Sequence, residues 1–218
     1  MDVVCCRLCG GKELTHKGAG VFLSKYTSQY YQCKSCAYLF VHPVTWLDEA
    51  YKIDTTGIDT GRFLRNQTIM NVIKHDYPHV RTILDFGSGY EMLLAKESRG
   101  TPFVVTSYDK YIPTINQQSS LTQTYNLVVS AEVFEHIMNP LAFLKQSLKM
   151  GTGSVLLTTT VMSPQSFPHD KYYSRECGQH IGFLTPGTLN WLKTALDVNV
   201  HHTILHEFHF ISLSKKQK

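Results

Sequence analysis

The sequence lacks the two features that would target it to or through a membrane. No apolar run reaches the roughly 18 consecutive residues that indicate a transmembrane helix. Residues 1–7 contain no basic segment followed by an apolar one, as a secretory signal peptide would. We therefore expect no membrane span, no signal peptide and a cytoplasmic location.

A strong excess of charge of either sign is also missing. The 218 residues carry a formal net charge of +4, with 17% charged and 43% hydrophobic residues. This composition is ordinary for a globular protein. It falls short of the concentrated basic surface typical of a dedicated nucleic-acid binder. It permits an anionic substrate without indicating one.

The cysteines are distributed unevenly along the chain. Five of the six cysteines lie in the first 36 residues, and the sixth is Cys177. Because we expect no export signal, disulfides are disfavoured, and clustered thiols instead indicate a metal site.

Four of these cysteines form two C-x-x-C pairs, separated by 23 residues: Cys6, Cys9, Cys33 and Cys36. Each pair places two thiolates on one side of a tetrahedral zinc ion, and four cysteines leave no position open for water. The pattern predicts a structural zinc site, with Cys5 as a more poorly spaced competitor for Cys6. A redox role for the thiols is the alternative.

The zinc site belongs to a predicted small module at residues 1–42, which resembles a zinc ribbon. Two adjacent glycines at 10–11 permit a tight turn after the first pair. Residues 30–32 and 38–41 have the composition of short strands. About 40 residues cannot bury a large core, so a metal would stabilise the module.

Residues 43–80 are predicted to be a connecting segment with a helix that begins near Arg62 and ends near Tyr77, before Pro78. Strands and helices then alternate over 81–218, the predicted catalytic domain. The strands are predicted at 81–86, 103–106, 125–130, 153–160, 198–205 and 207–213. Helices are predicted at 91–98, from Pro140 to just before Gly151, and from Pro186 to near Leu196. Apolar strands alternating with helices predict an α/β fold with a mostly parallel sheet.

A glycine-rich turn, Gly87-Ser88-Gly89, follows the first strand of this domain. It lets a ligand approach the backbone closely. Asp109 ends the next strand, where a carboxylate can accept hydrogen bonds from both hydroxyls of a ribose. The dinucleotide fingerprint needs a third glycine where the chain has Met92, so a cofactor without a pyrophosphate fits better.

Three blocks of sequence carry a resemblance to a known family. Residues 83–89, 107–109 and 125–136 resemble the successive motifs of class I S-adenosylmethionine-dependent methyltransferases. The match covers about residues 62–213. A four-cysteine module ahead of such a domain is also similar to known methyltransferase subgroups.

The resemblance implies a Rossmann-like sheet of seven strands, S-adenosylmethionine as cofactor and a set of cofactor-binding residues. Asp85, Gly87, Ser88 and Gly89 would surround the methionine moiety, Asp109 would bind the ribose, and Ala131 and Glu132 would line the pocket.

The chain departs from the family pattern in two places. Glu91 stands where the family usually has a third glycine, and its side chain could crowd or repel the carboxylate end of the cofactor. Only 15 residues separate Asp109 from Tyr125. This is short for a helix plus a third strand, so we expect one element of the sheet to be abbreviated.

The loop after the strand that ends near Thr160 is rich in groups suited to an acceptor. We predict His180 as general base or acceptor-orienting group, and Tyr172 as a second catalytic residue. His136 is interpreted as structural. The four histidines at 201, 202, 206 and 209 suggest a metal site, but solvated strand histidines are the simpler interpretation.

Methyl transfer from a sulfonium is an in-line displacement, so the protein mainly aligns donor and acceptor. The leading hypothesis is an enzyme that methylates a small molecule or a sugar or glycan precursor. An RNA methyltransferase whose ribbon grips its substrate is one alternative. A degenerate, non-catalytic S-adenosylmethionine-binding protein is another. The sequence leaves the acceptor and the oligomeric state open.

Overall fold

The computed structural model describes residues 3–52, 61–163, 165 and 178–216. Within those residues, no helix combines the length and the hydrophobicity needed to cross a membrane. The chain divides into two compact units. The first, here called the cysteine unit, comprises Met1–Ile58, Phe134–Phe143 and Thr160–Leu196. The second, the large-sheet unit, comprises Asp59–Val133, Leu144–Thr159 and Asp197–Lys218.

The strands among the described residues are β1 (Leu14–Phe22), β2 (Tyr26–Cys33), β3 (Leu39–His42), β4 (Thr82–Phe86), β5 (Val104–Tyr108), β6 (Tyr125–Ala131), β7 (Gly151–Thr158), β8 (Gly182–Phe183), β9 (Val198–Leu205) and β10 (Phe208–Lys215). The α-helices are α1 (Leu47–Ala50), α2 (Arg62–Asp76), α3 (Leu93–Glu97), α4 (Pro140–Met150) and α5 (Pro186–Ala195), and short 3-10 helices span Gln118–Leu121 and Phe134–His136.

The large-sheet unit contains a six-stranded sheet in the order β5-β4-β6-β7-β10-β9. Strands β5, β4, β6 and β7 pair in parallel, whereas β10 pairs antiparallel with both β7 and β9. The predicted α/β class and mostly parallel sheet are confirmed. Parallel pairing brings the carboxyl ends of β4, β5 and β6 to one edge of the sheet, where ligands of such folds bind.

The described residues form a sheet of six strands rather than the family's seven, as the expected abbreviation of one element predicts. The abbreviated part is the short segment between Asp109 and Tyr125. It contains the 3-10 helix Gln118–Leu121 in place of a helix and a further strand. Strand β5 is therefore an edge strand.

Apolar residues of the neighbouring strands β4, β6 and β7 and of helix α2 form the core of the large-sheet unit. Ile83, Leu127 and Leu156 pack with Ile69 and Ile73 of α2, and all five are at most 1% exposed. Helix α2 ends at Asp76 with Tyr77 as its C-cap, as the following proline predicts, because the residue before a proline disfavours the helical conformation.

The cysteine unit contains a four-stranded antiparallel sheet in the order β1-β2-β3-β8. The strands predicted around 30–32 and 38–41 correspond to β2 and β3, whereas β1 and β8 were not predicted. Strand β8 lies far along the chain from β3, and Leu39 pairs with its Phe183. The cysteine unit is thus completed by residues far beyond the predicted module at 1–42.

An aromatic cluster forms the core of the cysteine unit. Phe22 stacks on Trp46 with ring centroids 4.6 Å apart, and Tyr30 and Phe183 join the same buried group. Such rings supply much of the apolar area that a small sheet can bury. The indole Nε1–H of Trp46 donates to the carbonyl of Gly178 at 2.8 Å, which satisfies its one polar atom.

Candidate functional site

The turn after β4 has a backbone conformation that requires glycine. Gly87 has φ +92°, and a Cβ there would overlap Cγ2 of Val133. The N–H groups of Gly87 and Ser88 both donate to the carbonyl of Tyr108, at 2.7 and 3.1 Å. The end of β5 therefore fixes the turn, and the first glycine is needed for both its backbone angle and its lack of a side chain.

Gly89 and Asp109 meet at the same edge of the sheet. Gly89 has φ +67°, and a Cβ there would find no neighbouring atom within 4 Å, so its surface is open. Its N–H donates to Oδ2 of Asp109 at 3.1 Å, and the N–H of Tyr111 donates to Oδ1 at 2.9 Å. Each carboxylate oxygen has a second lone pair, so Asp109 can still accept hydrogen bonds from a ligand.

Asp85 is the buried acid of this edge. The side chain at the end of β4 is 4% exposed, and burial together with the nearby Asp109 carboxylate raises the pKa of Asp85 to about 7. A shift of this kind in a cleft of an α/β sheet is typical of a ligand-binding group. A cationic ligand would favour the ionised form.

The end of β6 is strained at a predicted pocket residue. Glu132 follows Ala131 and has φ +53°, an unusual value for a residue other than glycine. Its N–H donates to the carbonyl of Thr158 at 2.8 Å, which holds the strained conformation. Backbone strain of this kind is concentrated at functional sites. The predicted cofactor residues on β4, β5 and β6 thus all belong to one sheet edge.

Glu91, the departure from the family's glycine, lies just before α3. Its side chain is exposed. The left-handed residue lies one position later, at Met92 with φ +47°, and α3 therefore begins only at Leu93 rather than at residue 91.

The four paired cysteines form one cluster in the cysteine unit. All four sulfur atoms lie within 4.8 Å of one another. The Sγ atoms of Cys6 and Cys36 are 3.6 Å apart, and those of Cys9 and Cys33 are 3.5 Å apart. Four thiolates bound tetrahedrally to one zinc ion at about 2.3 Å would lie about 3.8 Å apart. The donor set and its spacing fit a zinc ion.

The backbone around the cysteines has the form of a metal-binding knuckle. The N–H of Gly10 donates to the carbonyl of Cys6 at 2.8 Å, and Gly10 has φ +76°. The N–H of Gly11 lies 3.4 Å from the sulfur of Cys9. Cys5, the possible competitor, directs its sulfur to the carbonyl of Val3 at 3.5 Å and does not belong to the cluster.

His180 lies in the cysteine unit on a chain segment that is fixed on both sides. The side-chain amide of Gln179 donates to the carbonyl of Ala50 at 3.1 Å, and the N–H of Ile181 donates to the carbonyl of Glu135 at 2.8 Å. Burial lowers the pKa of His180 to about 4. The imidazole is therefore neutral at pH 7.

Two further ionisable side chains stand beside His180. Its ring centroid is 4.9 Å from that of His136, and ligand atoms of Glu135, His136 and His180 all lie within 4.8 Å of one another. Glu135 is 2% exposed. The sequence predicts a structural role for His136 and does not single out Glu135. Because about 45 residues separate them from His180, no local sequence pattern predicts that the three side chains lie together.

Two further sequence predictions concern Tyr172 and the four histidines near the C-terminus. Tyr172 lies outside the described residues. Of the four histidines near the C-terminus, Nε2 of His202 is 2.9 Å from Nδ1 of His209, with the rings stacked. The described residues place no third ligand with them.

Comparison with known proteins identifies the family. Residues 54–203 match the sequence family described as a methyltransferase domain. This match covers more than half of the chain. The chain belongs to this methyltransferase family. No curated protein matches the methyltransferase in sequence.

Solved structures share the fold of this methyltransferase at low sequence identity. An O-methyltransferase family protein from Burkholderia thailandensis has a TM-score of 0.55 at 12% identity, over 71% of this chain and 57% of that one. The plantazolicin methyltransferase BpumL in complex with SAH has a TM-score of 0.53 at 14% identity, covering 72% and 86%. Magnesium protoporphyrin IX methyltransferase (ChlM) from Synechocystis PCC 6803, with bound SAH, has a TM-score of 0.50 at 10% identity, covering 80% and 89%. The methyltransferase thus spans little more than half the length of the first of these.

Proposed function

We propose that the protein transfers a methyl group from S-adenosylmethionine to a small molecule or a sugar or glycan precursor. The observation that carries the cofactor assignment is the turn after β4. Gly87 has no room for a side chain, Gly89 leaves an open surface, and Asp109 stands beside that surface with acceptor capacity to spare.

The cofactor-binding residues we propose are those predicted from sequence, and they follow the shape of the ligand. The methionine moiety would lie against the turn formed by Asp85, Gly87, Ser88 and Gly89. Asp109 would accept the ribose hydroxyls, and Ala131–Glu132 would line the pocket. The neighbours with bound SAH support this choice of cofactor.

The acceptor role falls to His180, with Tyr172 as its proposed partner. A general base works best when its pKa lies near the operating pH. Because burial lowers the pKa of His180 to about 4, a neutral imidazole that orients the acceptor is favoured over one that removes its proton.

We further propose that the four cysteines hold a structural zinc ion. Four thiolates close its coordination shell, so its contribution is to the folding of the sheet β1-β2-β3. RNA binding by the ribbon would need free cationic side chains, and two cations of the cysteine unit are already engaged within the protein. Arg7 donates to the carbonyls of Val41 and Ile181, and Lys25 pairs with Glu49 at 3.0 Å. A small acceptor is therefore preferred over RNA.

Calorimetry with S-adenosylhomocysteine (SAH), the demethylated product, tests the cofactor site. We expect saturable binding by the wild type and a large loss in Asp109→Ala, because that variant removes the ribose acceptor and the anchor of Gly89. Asp197→Ala is the matched control, since Asp197 is an exposed acid of the same unit paired with Lys216 at 2.7 Å. Absence of SAH binding at millimolar concentration would overturn the cofactor assignment, whereas SAH binding without turnover of any acceptor would favour the degenerate, non-catalytic alternative.

The acceptor role is tested separately with acceptor candidates. His180→Gln should lower the turnover number while leaving the SAH dissociation constant unchanged. An unchanged turnover number would remove His180 from the reaction. RNA binding that weakens steeply with salt would restore the RNA alternative.

A further inference from the structure

A second set of metal-binding side chains converges in the cysteine unit. Glu135, His136 and His180 each offer one ligand atom, and these atoms all lie within 4.8 Å of one another. The two imidazole rings have centroids 4.9 Å apart and planes inclined by 37°. Two imidazoles and one carboxylate are the donor set that divalent transition metals take in open protein sites.

The spacing of the three groups is close to that of a formed site. An ion about 2.1 Å from each ligand atom holds those atoms about 3–4 Å apart. The limit of 4.8 Å therefore leaves adjustments of at most about 2 Å, which rotation about side-chain torsions supplies.

The backbone holds the three ligands from two distant parts of the chain. Glu135 and His136 end the 3-10 helix Phe134–His136. The N–H of Ile181 donates to the carbonyl of Glu135 at 2.8 Å, so the residue after His180 is hydrogen-bonded to the first ligand. Directly after it, β8 pairs with β3. Because the backbone holds these residues in place before an ion binds, they form a preorganised ligand set.

We propose that Glu135, His136 and His180 bind one divalent transition-metal ion, separate from the ion of the four cysteines. Imidazole ligands suit zinc, iron, nickel or copper, whereas magnesium and calcium prefer sites built from oxygen. Three protein ligands also leave a coordination position open, as in catalytic rather than structural metal sites.

Zinc calorimetry on the full-length protein tests the site. The cysteine cluster is first loaded with one equivalent of zinc, and excess metal is removed. We expect the wild type to bind one further equivalent of Zn²⁺. A wild type that binds no second ion would overturn the proposal.

Variants of the ligands identify where the second ion binds. His180→Gln and His136→Gln should each weaken its binding by at least the roughly 10- to 100-fold that loss of a supporting partner costs a metal site. The matched control is His202→Gln, because His202 and His209 form an exposed pair of imidazoles 2.9 Å apart. Loss of the second ion in His202→Gln, with retention in His180→Gln, would move the site to that pair.

Cobalt provides a measurement that needs no variant. Added to the zinc-loaded wild type, Co²⁺ should give visible absorption bands without the intense thiolate-to-metal bands of a cysteine site. Thiolate bands alone would overturn the proposal. SAH binding, measured in parallel, separates the two hypotheses. If the protein binds the second metal but not SAH, the metal site stands and the proposed function fails. If it binds SAH but no second metal, the metal site fails and the proposed cofactor stands.

Discussion

The cofactor edge of the large-sheet unit and the ligand clusters of the cysteine unit are built in different ways. At the cofactor edge, Asp85 lies in β4 and Gly89 in the turn directly after it, and Gly89 bonds to Asp109 only 20 residues later. In the cysteine unit, Cys6 meets Cys36 across 30 residues, and Arg7 reaches the carbonyl of Ile181 across 174. Parallel strands hold the first site, whereas side-chain contacts between distant parts of the chain, with the zinc ion that we propose, hold the second.

The largest expected effect follows from removing the metal of the four cysteines. Cys33→Ser should remove the zinc ion and unfold β1, β2 and β3, because binding of a structural zinc ion contributes about 10–16 kcal/mol to folding in small domains. Hydrogen exchange of these strands, with zinc content, measures the result. Cys5→Ser is the control and should retain both zinc and protection, since Cys5 is not in the cluster. Protected strands in a zinc-free Cys33→Ser would show that the aromatic core suffices.

The corresponding test of the cofactor edge is Gly87→Ala. The new Cβ would clash with Val133, and the alanine would have to keep a φ of +92°. We therefore expect a destabilisation of about 1–3 kcal/mol from overpacking, with a further cost from backbone strain. SAH binding should also be lost. Urea denaturation of the large-sheet unit measures the free energy of unfolding.

A matched glycine separates the two costs in that variant. Gly100 has φ +75°, and a Cβ added there would meet open space, so Gly100→Ala carries the backbone strain without the clash. The double variant Gly87→Ala/Val133→Ala should recover part of the loss. Equal destabilisation in Gly87→Ala and Gly100→Ala would mean that Val133 moves aside and that packing does not fix the turn.

The difference in construction explains what could be predicted from sequence. Gly87, Gly89 and Asp109 could be predicted because each follows a strand, and parallel strands end at the same edge. The role of Asp85, which lies one residue before the end of β4, is implied by the family resemblance. The paired spacing of the cysteines also revealed their cluster. In both cases the signal lies within short stretches of sequence.

Contacts across long stretches of sequence could not be predicted. Glu135 was missed because its partner His180 is brought near by the hydrogen bond from Ile181 and by the pairing of β8 with β3. A two-residue strand such as β8 has too few residues to show a period. The seventh strand was expected from family resemblance, although the short segment after Asp109 already indicated its loss.

A smaller effect is expected from the ionisation of Asp85. Its pKa of about 7 in the free protein means that a cationic ligand binds better as the acid ionises. The affinity for SAH, which carries an ammonium group, should therefore rise about tenfold from pH 6 to pH 8. Asp85→Asn should bind more weakly and show a flat profile. A wild-type profile as flat as that of the variant would remove Asp85 from contact with the charge.

The raised pKa of Asp85 also predicts how the stability of the folded protein depends on pH. Because the pKa of folded Asp85 lies above its ordinary value of 3.8, its contribution to folding is greatest at low pH and declines as the pH rises through about 7. Asp85→Asn should therefore raise the melting temperature of the free protein at pH 8 more than at pH 5. A larger gain at pH 5 would contradict the assignment.

The smallest effect concerns Thr185, where a local contact and a distant one share one hydroxyl. Oγ1 accepts from the N–H of Thr188 at 3.1 Å, which caps α5, and donates to the carbonyl of Ala37 at 3.0 Å. Thr185→Ala should cost about 0.5–2 kcal/mol through loss of the cap. Thr185→Ser keeps the hydroxyl and should cost less. Hydrogen exchange at Thr188 reports the cap, and exchange in β3 reports the distant contact. If only the Thr188 amide loses protection in Thr185→Ala, the cysteine unit does not need this link, and its long-range contacts are more redundant than those of the cofactor edge.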